Sequence, residues 1–235
     1  MQFDILSSTD KRISGWFDQQ HKPSHLDQKS KFHFSITLSR QFGCEGYPLA
    51  LALKKQMEQI DKGQTWTIFD RALIDTILQN HQISRRILEN FGKKSVFYDS
   101  LMSSIIPNWK TDADIYELMV RTIISLGEEG RAIFVGRGAA VITQESKRCF
   151  HFRLIGDREY RIHSLMQRGR LTRDEVIKLM DEKEQERDRF INRFLSADIT
   201  APDKYHMVFN NEKSDVDTIA STIVHHTNLQ MKALE

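Results

Sequence analysis

Residues 34–53 place an arginine, two glycines and a glutamate between an apolar run and an amphipathic one. Phe34–Leu38 is apolar and β-branched with Ser35 and Thr37 interleaved, which reads as a buried strand. Gly43 and Gly46 punctuate a tight loop behind Arg40. Pro48 suits the first turn of a helix, where its missing N–H costs nothing, and Leu49, Leu53, Met57 and Ile60 then recur at helical spacing. Such a loop can hold an anion, because backbone N–H groups and the positive end of the helix dipole both point at it. The standard phosphate-binding pattern, G-x-x-x-x-G-K-[ST], is not met. Laid strand on strand, Arg40 stands at the first glycine and Gly46 at the lysine, while Tyr47 and Pro48 replace the hydroxyl residue that would hold magnesium. On spacing alone, an ordinary strand-to-helix turn is an equal reading.

Two further strand ends carry charge. Thr65–Phe69 reads as a short strand with Asp70 and Arg71 at its carboxyl end, where open α/β sheets put their ligands. The structural alternative for Arg71 is a surface ion pair with Asp70 or Asp75. Ala132–Val135 is a continuous apolar strand of the buried parallel type, ended by Gly136-Arg137-Gly138. The glycines allow a sharp turn, and Arg137 either meets a carboxylate or helix end, or faces a ligand.

Nine arginines lie between Arg153 and Arg193. Arginine grips phosphate oxygens in a planar, bidentate way and keeps its charge, although a solvated helix with i,i+4 ion pairs uses the same residues. At 3.6 residues per turn Glu186, Arg189 and Arg193 share a face, and Arg187 falls roughly opposite Arg189. Arg189 is thus expected to pair with Glu186, leaving Arg187 freer for a ligand.

The elements that must position these groups alternate between strand and helix. Cys149–Ile155 and Tyr205–Asn210 complete five strands. Residues 71–129 read as almost wholly helical, with one stripe through Ile83, Ile87 and Leu88 and another through Phe97, Leu101, Ile105 and Ile106. A third, opened by Thr111, carries Ile115, Leu118, Met119, Thr122, Ile123 and Leu126. Asp157 caps a helix to about Arg168, Thr172-Arg-Asp-Glu175 is a capping box opening a helix toward Leu195, and Ser214 with Asp217 starts a closing helix through His226. Ile13, Trp16 and Phe17 could share one face of a short helix, packed on the domain or held out for a partner, ahead of a polar linker.

The composition, 40% hydrophobic and 28% charged over 235 residues, is that of one globular core with a small lid. A net charge of +2 does not suggest a nucleic-acid binder. No apolar run approaches 18 residues, no signal peptide is evident, and Cys44 with Cys149 fit a reducing compartment better than a disulfide framework, so the expected location is cytoplasmic. The histidines have no metal-ligand spacing.

The run Ile36-Thr-Leu-Ser-Arg-Gln-Phe-Gly-Cys-Glu-Gly resembles the Ser-Arg-Glu-Tyr-Gly-Ser-Gly-Gly opening of the cytidylate kinase-like family, relatives of nucleoside monophosphate kinases with an altered phosphate loop. Phe69-Asp-Arg-Ala-Leu-Ile74, Ile133-Phe-Val-Gly-Arg-Gly-Ala139 and Tyr205-His-Met-Val-Phe-Asn210 follow in the family's order. The resemblance implies an α/β, three-layer P-loop kinase-like fold with a five-stranded parallel sheet in the order 2-3-1-4-5. It divides the chain into an extension (1–32), the domain (33–228) with a helical lid over about 157–200, and a tail (229–235).

The activity implied is phosphoryl transfer from ATP, with Mg²⁺, to a nucleoside monophosphate of the CMP type or a similar small acceptor. Nucleotides would then be the partners, and a homo-oligomer is compatible with this. Gly43, Cys44, Glu45, Gly46 and Tyr47 would hold donor phosphates by their amides; Arg40, Arg187 and Arg193 would supply the catalytic positive charge; Asp70, Arg71 and Arg137 would hold the acceptor. Two departures stand out: Glu45 replaces a family glycine and brings negative charge to the loop, and Tyr47 replaces an arginine. Gly138 stands where the cytidylate kinases themselves have the aspartate of a Gly-Arg-Asp turn, as it does in the broader kinase-like family, so their base recognition is not implied here. A non-catalytic nucleotide-binding regulatory protein that keeps the fold is the reading from a different class.

Overall fold

In the computed structural model, residues 33–62, 64–80, 112–195 and 197–233 are described. The expectations for residues 1–32 and for the stripes between Ile83 and Ile106 fall outside them.

Five strands make one parallel sheet in the order β2-β3-β1-β4-β5, as the resemblance implies. The strands are β1 (Ser35–Arg40), β2 (Thr67–Phe69), β3 (Ala132–Val135), β4 (Cys149–Ile155) and β5 (Met207–Asn210). β1 is central and runs to Arg40, past the expected Leu38, because Ser39 and Arg40 stay in register with Arg153 and Leu154 of β4. Crossovers through helices cover both faces, as parallel strands require.

The two faces differ because β1 alternates. Phe34, Ile36 and Leu38 point one way and pack with Phe150, Phe152, Trp66 and Ile133 under α1 (Gly46–Ile60) and α7 (Val216–Ala233). Burying such a side chain contributes about 1.5–3 kcal/mol each. On the opposite face Phe69 and Phe134 pack under α2 (Arg71–Gln79) and α3 (Asp112–Glu129). Beneath β1 and β4 that same face is polar. Ser35 Oγ donates to the Gly127 carbonyl (2.9 Å), Thr37 Oγ1 lies 2.9 Å from His151 Nδ1, and Arg153 Nη1 donates to Ser39 Oγ (2.8 Å).

Several local expectations are refined. Leu49, Leu53 and Met57 are buried, but Ile60 and Ile115 face outward. A short helix, α4 (Ala139–Ile142), follows the Gly136-Arg137-Gly138 turn. α5 (Arg158–Gly169) starts at the Asp157 cap, and α6 (Arg173–Phe190) opens on the Thr172–Glu175 capping box, formed in both directions. α6 passes into a π-helical turn at Ile191–Leu195. Asp215, rather than Ser214 or Asp217, caps α7 by accepting from Thr218 N (2.8 Å). That helix continues past His226 because Met231 still packs on the core.

Candidate functional site

Two cavities open at the carboxyl ends of β1 and β3. The larger, about 510 Å³, is roofed by α6 and its π turn; the smaller, about 360 Å³, lies over the loop between β1 and α1. Arg40 and Arg71 line both, so they form the wall between them.

Arg40 is laid between two glycines. A Cβ on Gly46 would stand 3.2 Å from Arg40 Cδ, and one on Gly136 would fall 2.0 Å from Arg40 Nη1. Gly136 also has φ +82, which glycine alone adopts without strain. Arg40 makes no hydrogen bond or ion pair with any described residue. Burial holds its pKa below the ordinary arginine value; the Arg187 charge lowers it further, and Asp70 offsets part of this. An unpaired guanidinium in such a place is destabilising unless an anion joins it.

The other predicted cations divide into two groups. Arg187 lines the larger cavity; its buried Nε makes no hydrogen bond and lies 3.5 Å from Asp188 Oδ1. Arg137 lines it too, with φ +55, a contact to Asp75 and an unpartnered buried Nε. Burial, with Arg71 adding repulsion, pushes its pKa down to about 10. Arg71 reaches Asp75 (3.6 Å) and Glu186 (3.5 Å), so the ion-pair alternatives for Arg71 and Arg137 both form, through Asp75. Asp70 lines the smaller cavity and caps α2, accepting from Leu73 N (2.9 Å). Arg193 is not brought to this cluster: it is exposed, lines neither cavity, and lies 5.0 Å over the Phe194 ring.

The expected Glu186–Arg189 pair is corrected. Lys183, one turn earlier, holds Glu186 (2.8 Å) and Arg71 reaches it from α2; Arg189 instead donates to the Gln185 carbonyl and lines the larger cavity beside Arg187. The wheel set Arg187 opposite Glu186 and Arg189, but all three line the larger cavity, because the cavity wraps around the end of α6.

The loop is braced rather than open. Cys44 N donates to the Gln41 carbonyl (3.2 Å), Glu45 N to Asn211 Oδ1 (2.8 Å) and Gly46 N to the Cys44 carbonyl (3.0 Å). Three of the five amides expected to cradle phosphate are therefore committed within the protein. Glu45 turns its carboxylate to Tyr160 Oη (3.3 Å) and Asn211 Nδ2 (3.5 Å) and lines neither cavity. Burial, then Glu45, raises the Tyr160 phenol to about 12, so it stays a donor. Gly43, at φ +99, admits Arg161, whose Cβ would lie 2.7 Å from an added Cβ. Arg161 Nη1 ties the Phe42 carbonyl (3.0 Å) to Glu184 of α6 (2.8 Å), and Arg168 donates to the Gly43 carbonyl. Exposed Tyr47 lines the smaller cavity. Burial pushes the Cys44 thiol up to about 11, which leaves it a poor nucleophile.

Sequence reasoning missed Asn211, Arg161, Arg168, Ser39 and Tyr205 as site-shaping residues. Their partners lie far along the chain, so no local spacing marks them.

No group of three or more His, Cys, Asp or Glu side chains suited to a metal occurs among the described residues, and none of their helices is long and apolar enough to cross a membrane. Among the described residues, Asp70 is the one carboxylate lining the smaller cavity.

The crystal structure of an uncharacterized protein from Eubacterium ventriosum ATCC 27560 shares the fold, with TM-score 0.60 and 20% identity over 83% of this chain and 98% of that one. A shikimate kinase from Bacteroides thetaiotaomicron aligns with TM-score 0.44 and 12% identity over 82% of this chain and 97% of that one. No curated protein matches the sequence. The profile of the cytidylate kinase-like family matches residues 35–213, most of the chain, and the protein belongs to that family.

Proposed function

We propose that the chain transfers a phosphoryl group from ATP to a nucleoside monophosphate of the CMP type, or to a similar small acceptor, with Mg²⁺. Arg40 carries this reading: a half-buried, partly desolvated cation that makes no hydrogen bond or ion pair among the described residues, standing in the wall between two cavities. Phosphoryl transfer needs charge neutralisation and alignment where donor and acceptor meet, and little covalent chemistry. The donor phosphates would lie in the smaller cavity and the acceptor in the larger, with Arg71 and Arg137 on the acceptor's anionic end. Arg187 would neutralise the transferring group from the lid, which leaves Arg193 out of the reaction. Mg²⁺ travels mainly on nucleotide phosphates, and Asp70 is the protein carboxylate placed to approach it.

A second reading has its own support. With the amides of Cys44, Glu45 and Gly46 committed, the donor loop is a poorer phosphate cradle, which favours a nucleotide-binding regulatory protein without turnover. Both readings are tested by melting curves with ATP and ADP and by ADP production across the nucleoside monophosphates. Stabilisation with turnover supports the kinase, stabilisation alone the regulator, and no stabilisation by any nucleotide refutes both.

A further inference from the structure

Of the loop residues, Gly43, Cys44, Gly46 and Tyr47 line the smaller cavity and Glu45 does not. The reason lies 166 residues away. Asn211 grips Glu45 twice: its Oδ1 accepts from Glu45 N (2.8 Å), and its Nδ2 donates to Glu45 Oε2 (3.5 Å). Tyr160 Oη donates to the same carboxylate oxygen (3.3 Å). The Glu45 peptide is thereby turned out of the cavity that its neighbours form.

Asn211 is a firm anchor. It directly follows β5, is 3% exposed, and donates its own backbone N–H to the Ile155 carbonyl at the end of β4 (2.8 Å). The other two committed amides are held differently. Cys44 N and Gly46 N bond to the carbonyls of Gln41 and Cys44, inside the loop, and can move with it. Of the three, only the Glu45 amide is tied to a different element. Glu45 is also the N-cap residue of α1, yet its side chain caps nothing there. The start of α1 is thus left without the side-chain acceptor that usually fills it.

We propose that Asn211 is a positioning residue for this loop: it holds the Glu45 amide out of the smaller cavity in the free protein and gives it up to the phosphate of an incoming ligand. This rests on the reading of that cavity as the donor site. The exchange favours the ligand, because a backbone N–H bonded to an ionised oxygen makes roughly twice as strong a bond as one to a neutral amide oxygen. Tyr160 keeps hold of the carboxylate while the amide turns, so the negative charge stays off the ligand. Part of the binding free energy is spent on parting Glu45 from Asn211, and a chain already parted binds more tightly.

Calorimetric titration of the full chain with ADP and with tripolyphosphate tests this. Asn211→Ala removes both grips. Its melting temperature should fall, because buried hydrogen bonds are lost, while its affinity for both probes should rise about five- to tenfold, the equivalent of one hydrogen bond no longer broken on binding. Tyr160→Phe loosens the same carboxylate but leaves the amide on Asn211, so it should not raise the affinity. A merely structural role for Asn211 would move both variants the same way. Unchanged or weaker ADP binding by folded Asn211→Ala, or a gain equally large in Tyr160→Phe, overturns the proposal and leaves the donor-site reading standing. A gain for ADP without one for tripolyphosphate also overturns it, because the amide would then not be meeting phosphate. Failure of both probes to bind the wild type and Asn211→Ala overturns the donor-site reading as well. Amide resonances of the wild type give the same test should Asn211→Ala not fold. Saturating ADP should shift the Glu45 amide more than the Asn211 amide, which stays on Ile155; a Glu45 amide unmoved by bound ADP overturns the proposal.

Discussion

Arg40→Met keeps most of the side-chain stem between Gly46 and Gly136 and removes the charge. Arg40 has no hydrogen bond or ion pair among the described residues, and burial and Arg187 both disfavour its charged form. Removing this half-buried, uncompensated charge in favour of an apolar stem should be neutral or stabilising by up to about 1 kcal/mol. For a chain of this length that is a rise in melting temperature of about 2–4 °C per kcal/mol. Ligand binding should move the other way. A charge-assisted hydrogen bond to phosphate contributes about 1.5–3 kcal/mol, so nucleotide affinity should fall about ten- to a hundredfold. Turnover, where present, should fall by about 10³, the contribution of a comparable cationic group in this reaction class. Scanning calorimetry without ligand, titration with ATP and an ADP-release assay measure the three quantities. A drop in ligand-free stability of more than about 2 kcal/mol would mean Arg40 has a structural role. Undiminished nucleotide affinity would refute the reading of Arg40 as the anion-binding cation.

Gly136→Ala should also weaken nucleotide binding, because its Cβ would occupy the place of Arg40 Nη1, but here the melting temperature should fall, since left-handed backbone costs an alanine about 1 kcal/mol; a variant binding as well as wild type would refute the seat. If the wild type turns over, Arg187→Ala should lower turnover by two orders of magnitude or more with little change in melting temperature, whereas Arg193→Ala, outside the cavities, should stay within about threefold; the reverse ranking would show the wrong arginine was chosen. Burial, followed by the His206 charge, pushes the His151 pKa down to about 4 from an ordinary 6.5. The unfolded chain therefore binds more protons between those values, so stability is complete above pH 6.5 and falls by about 3 kcal/mol as pH drops toward 4, with His206 and His226 shifted in the same direction. Urea midpoints at pH 7.5 and 5 measure this, and a pH-independent midpoint would show that His151 titrates normally.

The order of elements was legible in the chain because it rests on local patterns. Alternating apolar residues in Phe34–Leu38, the uninterrupted Ala132–Val135 and the Thr172–Glu175 capping box each act within a few residues, so β1, β3 and the start of α6 fall close to where they were read. Arg40, Arg71, Arg137 and Arg187 were also legible as candidates, because arginines at strand ends and on a lid helix stand out by type and position. Which of them gather, and what each one meets, was not. Gly136 seats Arg40 from 96 residues along the chain, and Glu186 meets Lys183 of its own helix and Arg71 of α2 rather than Arg189. Asn211 takes the Glu45 amide that the loop pattern offered to phosphate. Those outcomes depend on the register of β1 against β3 and β4 and on how α6 lies across the strand ends. Periodicity says which face of an element is buried; only the packed sheet says which side chain from a distant element is waiting there.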